Sequence, residues 1–180
     1  MGELIKMKNI FAFQFMNLYG IDKNKRAEKL SIAAHQATNA INSEEFELWF
    51  LSTVFTQLTD EQKKLTNSEL LNIIRQPVFL NYYVVPRPWY KRYSSVIGWT
   101  IIKDYFLSPV GQQGVGMVTT YSDQFDGMSI AGLASHIAHE ASHCPPYKFS
   151  HEYNWSKARD LSLPYQIGFF IERYINKNVT

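Results

Sequence analysis

Three of the chain's five histidines stand within the nine residues HIAHEASHC, His136 to Cys144. His139 and His143 are four residues apart, a spacing that on a helix puts both side chains on one face, one turn from each other. Two imidazoles so placed can share one metal ion. Glu140 follows His139 by about 100° round the helix axis, so it sits beside such an ion rather than on it. Neutral imidazole binds Zn2+ well, and the ion acidifies a bound water towards neutral pH. A carboxylate beside that water can take its proton as general base. These residue types at this spacing point to zinc-assisted hydrolysis.

The geometry requires a helix, and the sequence supplies one. Ile130, Leu133, Ala134, Ile137 and Ala141 follow helical spacing on the other side, so this face packs while the imidazoles are presented. Pro145 and Pro146 then stop the helix. With 5 His and 10 Glu in 180 residues, an H-E-x-x-H match arises by chance in roughly 1% of such chains, so the apolar back and the proline stop are what argue for a site. His136, one turn earlier, reads as a helix-surface histidine, with a substrate contact or a group supporting the ligands as the alternative. Cys144 points elsewhere on the helix and reads as structural. A catalytic zinc takes a third protein ligand and keeps one position open. His151, Glu152, Asp160 and Glu172 are the downstream candidates.

The rest of the chain must position this helix. Residues 1–76 read as a helical N-terminal part, apart from the first twenty residues, which suit a strand or a short helix. Ala27, Leu30, Ala34, Ala37 and Ile41 keep helical spacing, with His35 a surface or packed residue of that helix. Ser43 can cap a second helix through EEFELWFLSTVFTQL, and Thr66 with Glu69 makes a capping box for a third. From Pro77 the character changes. VFLNYYVV, SSVIGWTIIKDYF and GVGMVTTYS are rich in β-branched and aromatic residues between Pro and Gly signals, which predicts a small sheet over 77–125. Residues 126–180 hold the histidine helix, with Asp126 near its start, and a last amphipathic helix with Pro164 in its first turn.

Composition narrows the classes. The length suits a single domain, and 46% hydrophobic with 15% aromatic residues can fill a core. A net charge of +2 gives no footing for a nucleic-acid or membrane partner. Arg87, Lys91 and Arg92 among Trp89, Tyr90 and Tyr93 read as a solvated rim rather than a nucleic-acid groove. The lone Cys144 excludes an internal disulfide framework. No apolar window approaches a membrane span, and the start lacks a cleavage signature. A cytoplasmic chain is expected, with secretion left open.

H-E-x-x-H is the zinc motif of metallopeptidases. The run HEASHCPPYKFSH resembles the metzincin pattern H-E-x-x-H-x-x-G-x-x-H with two more residues and no glycine. His151 falls eight residues after His143 rather than six, and Pro145-Pro146 would have to supply the turn. The C-terminal half is more closely similar to a group of metzincin-like metallopeptidases of phage and bacterial genomes. The matching pieces are VIGWT (Val96 to Thr100), TTYSDQF (Thr119 to Phe125), HEASH (His139 to His143), FSH (Phe149 to His151) and SLPYQIG (Ser162 to Gly168).

That resemblance implies an α+β, zincin-like fold with N-terminal helices, a small mixed sheet, an active-site helix and a C-terminal helix. It implies a zinc metallopeptidase acting on a peptide or protein, with Zn2+ held by His139, His143 and His151, and Asp160 next in line as third ligand. Glu140 would be the general base. Tyr165 would donate to the oxyanion, or else anchor the last helix as a core residue. GVGMVTTYS would be the edge strand that pairs with the substrate. The rival readings are a zinc-stabilised binding domain without activity and a zinc amidase acting on peptidoglycan. The oligomeric state is not readable from the sequence.

Overall fold

The structure is a computed structural model that describes residues 11–21, 25–56, 58, 60, 62–88, 98–107, 114–144, 147–149 and 157–178. It is a mixed α+β fold. A four-stranded sheet has the order β1-β2-β4-β3, from β1 (Phe13–Tyr19), β2 (Val78–Val85), β3 (Gly98–Leu107) and β4 (Gly114–Tyr121). The β1, β2 and β4 strands run parallel, and β3 pairs antiparallel with β4.

Two expectations change here. Phe13–Tyr19 takes the strand alternative, so the sheet begins inside the stretch of 1–76 that reads as helical. Phe13 and Phe15 turn inward between exposed Gln14 and Met16, and the partner that makes them a strand lies more than 60 residues on, at Val78–Tyr83. Second, β4 is not an edge strand. It lies between β2 and β3, so GVGMVTTYS has both of its edges occupied. Among the described strands the outer positions belong to β1 and β3.

The predicted helices form for the reasons their sequences suggest. In α1 (Lys25–Asn42) the buried face is Leu30, Ala33, Ala34, Ala37, Ala40 and Ile41, while His35 is exposed. The Ser43 hydroxyl caps α2 (Glu44–Ser52) by accepting from Phe46 N at 3.1 Å. This helix stops at Ser52, short of the expected run to Leu58. Thr66 and Glu69 close the capping box of α3 (Asn67–Ile74). The stretch expected as one helix from Asp126 is two, α4 (Ser122–Gly127) and α5 (Ile130–Ser142). Ser129, not Asp126, caps α5 by accepting from Gly132 N at 3.0 Å, and Asp126 instead pairs with Arg26 of α1. A short α6 (Lys157–Asp160) leads into α7 (Leu163–Asn178), with Pro164 in its first turn.

The core lies between the sheet and the helices. Leu80, Tyr82 and Val84 of β2 and Val118 and Thr120 of β4 are buried facing α5, which α1 and α7 flank. Gly116 of β4 lets the end of α5 come close, because a side chain there would collide with Cys144. Phe46, Trp49 and Phe170 lock α7 onto α2. No described helix is long and apolar enough to cross a membrane.

Candidate metal centre

His139 lies in the last turn of α5, and His143 is its C-cap in right-handed helical geometry (φ −82°, ψ −15°). Helical periodicity therefore carries through the cap, and both rings turn the same way. Their Nε2 atoms are 3.4 Å apart and their ring centroids 5.1 Å.

The chain after the helix turns back under His143. Lys148 takes a left-handed backbone (φ 51°), and Tyr147 N and Lys148 N both donate to Cys144 O. Phe149 N then donates to Ser142 O at 3.0 Å. The left-handed residue that a glycine would normally provide is thus a lysine. Pro145 and Pro146, the residues expected to make the turn, lie outside the described residues. The result is that His143 Nδ1–H donates to the Phe149 carbonyl at 2.7 Å. A carbonyl can only accept, so in the neutral ring the proton is on Nδ1 and the lone pair is on Nε2, aimed towards His139.

Glu140 is nearly buried, its side chain 12% exposed, with Oε1 3.7 Å from His136 Nδ1. His136 is not the surface residue its position suggested. It is 7% exposed, and Nε2 lies 2.9 Å from the Thr120 hydroxyl, which is itself 2.7 Å from the phenol of buried Tyr82. The helix turns this residue towards β4, and burial lowers its pKa to about 4, so it is neutral. Cys144 is a buried free thiol on the packed side, its pKa pushed far up by burial first and then by Glu140.

Tyr165 is half-buried in the first turn of α7 and meets the His139 ring edge to face, with centroids 4.4 Å apart. Gly168 makes that approach possible. A Cβ there would lie 3.0 Å from Ser135 Oγ, 3.3 Å from Ser135 O and 3.8 Å from His139 Cβ. The Arg159 guanidinium covers the Tyr165 ring at 4.6 Å. Burial raises the phenol's pKa above its ordinary value, Arg159 opposes this, and Asp160 and Glu140 add to it. The hydroxyl therefore keeps its proton at neutral pH and can donate. Asp160 is paired with Arg159 at 2.9 Å.

His139, Glu140, His143 and Tyr165 are thus brought together. His151 and Glu152 lie outside the described residues, and within those residues no group of three His, Cys, Asp or Glu side chains gathers as a metal site. Tyr82, Thr120 and Arg159 are neighbours of the site that sequence reasoning missed. Thr120 belongs to the quoted TTYSDQF piece and Tyr82 to an inward strand position, but neither signal names a partner. Arg87 is not the solvated rim residue expected, since its side chain is 7% exposed, pairs with Asp123 at 2.8 Å and covers Tyr121, while Trp89, Tyr90, Lys91, Arg92 and Tyr93 lie outside the described residues. No family model matches the chain, and no curated protein is significantly similar to it.

Proposed function

We propose that the chain is a zinc-dependent metallopeptidase of the zincin type, with His139 and His143 as two ligands. The observation that carries this reading is the 3.4 Å separation of their Nε2 atoms. Two nitrogens about 2.0–2.1 Å from a tetrahedral zinc stand about 3.3–3.4 Å apart, so the separation matches that of two ligands on one ion. The hydrogen bond from His143 Nδ1 to Phe149 O adds the outer contact that ligating imidazoles use.

His151 is the proposed third ligand. It follows Phe149 by two residues, which span at most about 7 Å, and the Phe149 carbonyl is 2.7 Å from the ring of His143. When bound, zinc would supply an acidified water and polarise the peptide carbonyl. Glu140 takes the proton of the attacking water and passes it to the departing amine. Tyr165, protonated and against His139, donates to the developing oxyanion. The extended substrate adds along β3, an outer strand among the described ones, rather than β4, whose two edges are taken by β2 and β3.

The test is zinc content and casein cleavage in parallel. Wild type should hold about one zinc per chain, as a site with three protein ligands and one open position does. Glu140→Gln should keep the metal and lose cleavage by roughly 10²–10⁴-fold. His151→Ala should lose the metal. Cleavage retained in Glu140→Gln would remove Glu140 as base, and wild type that takes up no zinc would remove the reading altogether.

A further inference from the structure

Three buried polar side chains on three different elements lead in a line to Glu140. The Tyr82 phenol on β2 is 2.7 Å from Thr120 Oγ1 on β4. Thr120 Oγ1 is 2.9 Å from His136 Nε2 on α5, and His136 Nδ1 is 3.7 Å from Glu140 Oε1. Tyr82 and Thr120 are fully buried, among Leu80, Val84 and Val118. Apolar residues would serve the core at these positions without the cost of desolvating polar groups.

The proton positions in this line follow from its end. A carboxylate only accepts, so the His136 nitrogen facing Glu140 is favoured as the protonated one. A neutral imidazole carries one proton, which leaves Nε2 as the acceptor. Thr120 must then donate to Nε2, and Tyr82 must donate to Thr120. Each donor is directed towards the carboxylate, and in a low-dielectric interior such a chain polarises in one sense. At 3.7 Å the last contact is longer than a hydrogen bond, as bonds at catalytic groups often are before substrate binds.

We propose that Tyr82, Thr120 and His136 form a positioning chain that holds His136 as its Nδ1–H tautomer and thereby sets the orientation of the Glu140 carboxylate. The kinetic consequence rests on the peptidase reading above; the tautomer does not. His136 acts through Glu140 and is a positioning residue, as is Thr120.

The experiment has two arms on the full chain. Long-range ¹H–¹⁵N spectra of histidine-labelled protein, metal-free and zinc-loaded, should show His136 neutral with the proton on Nδ1. Thr120→Val, which deletes the donor to Nε2 while leaving Glu140 at Nδ1, should lower the share of the Nδ1–H form, and Thr120→Ser should keep it at the wild-type level. A neutral Nε2–H ring, or a charged one, in wild type overturns the proposal whatever the activity.

The second arm uses a quenched-fluorescent peptide copied from the first casein cleavage site, with the zinc-loaded protein. His136→Gln, which has no donor where Nδ1 stood, should lose kcat by roughly tenfold to hundredfold at unchanged KM and zinc content. His136→Asn puts its amide nitrogen where Nδ1 stood and should recover most of that loss. Equal losses in the two variants would reduce His136 to a packing residue and overturn the proposal. If zinc-loaded wild type cleaves no casein, the peptidase reading fails, and the tautomer arm alone decides the chain.

Discussion

Tyr147 anchors the segment that returns Phe149 to His143, and removing its hydroxyl should have a measurable and local effect. The residue is 5% exposed, and its phenol donates to the carbonyls of Ile74 at 2.8 Å and Gln76 at 2.5 Å. Burial, and then Cys144, push its pKa well up, so it stays a donor. Ile74 closes α3, and its carbonyl is one of the orphan acceptors that every helix end leaves. Tyr147→Phe keeps the ring and its stacking on Phe149, with centroids 6.1 Å apart, and deletes one shared proton. A buried carbonyl left without its partner costs about 1–3 kcal/mol, so about 2 kcal/mol is expected. For a chain of this size that is a fall in Tm of roughly 4–8 °C. Urea denaturation should show a lower midpoint at unchanged slope. Because the ring still seats the turn, zinc content should stay at the wild-type level. A loss below about 0.5 kcal/mol, the usual range for a surface change, would refute the anchoring role. So would loss of zinc without loss of stability.

Gly168→Val should cost about 1–3 kcal/mol by forcing α7 away from Ser135 and His139, and weaker zinc retention should accompany it; unchanged urea midpoint and zinc content would mean that the helices can part freely. His136 titrates near 4 in the fold against an ordinary 6.5, so between those values the unfolded chain binds the extra proton and acid favours unfolding. Its contribution is complete above about pH 6.5 and is lost towards pH 4, by an amount of order 3 kcal/mol. The urea midpoint of wild type should fall through that window, and His136→Phe should flatten the fall; parallel curves would show that another group sets the acid limit.

Several parts of the fold follow from local rules, and these the sequence carries openly. The Ser43 cap and the Thr66–Glu69 capping box act over three residues, so their helices start where the residue types predict. The runs VFLNYYVV and GVGMVTTYS become β2 and β4 because their side-chain types suit a pleated surface whichever strand lies beside them. The four-residue step from His139 to His143 is helix geometry alone, and their Nε2 atoms meet accordingly. Asp126 shows the limit of such reading. It can begin a helix by its type, yet Ser129 caps α5 and Asp126 ends up on Arg26, a hundred residues away.

The spacing of the histidine pair, the place of Glu140 beside it, most of the helix starts and the strand-rich middle can be read from the chain alone, because each depends on neighbours within one or two turns. What surrounds them depends on contacts between distant segments. Strand order depends on pairing between distant segments, which made β4 central and put Phe13–Tyr19 into the sheet. The burial of His136 depends on Thr120 and Tyr82 arriving from two strands. The contact of Tyr165 with His139 depends on Gly168 admitting α7, and the return of Phe149 to His143 on a left-handed Lys148. Local rules say which face of a helix is polar, but only close packing between elements decides whether that face meets water or a partner.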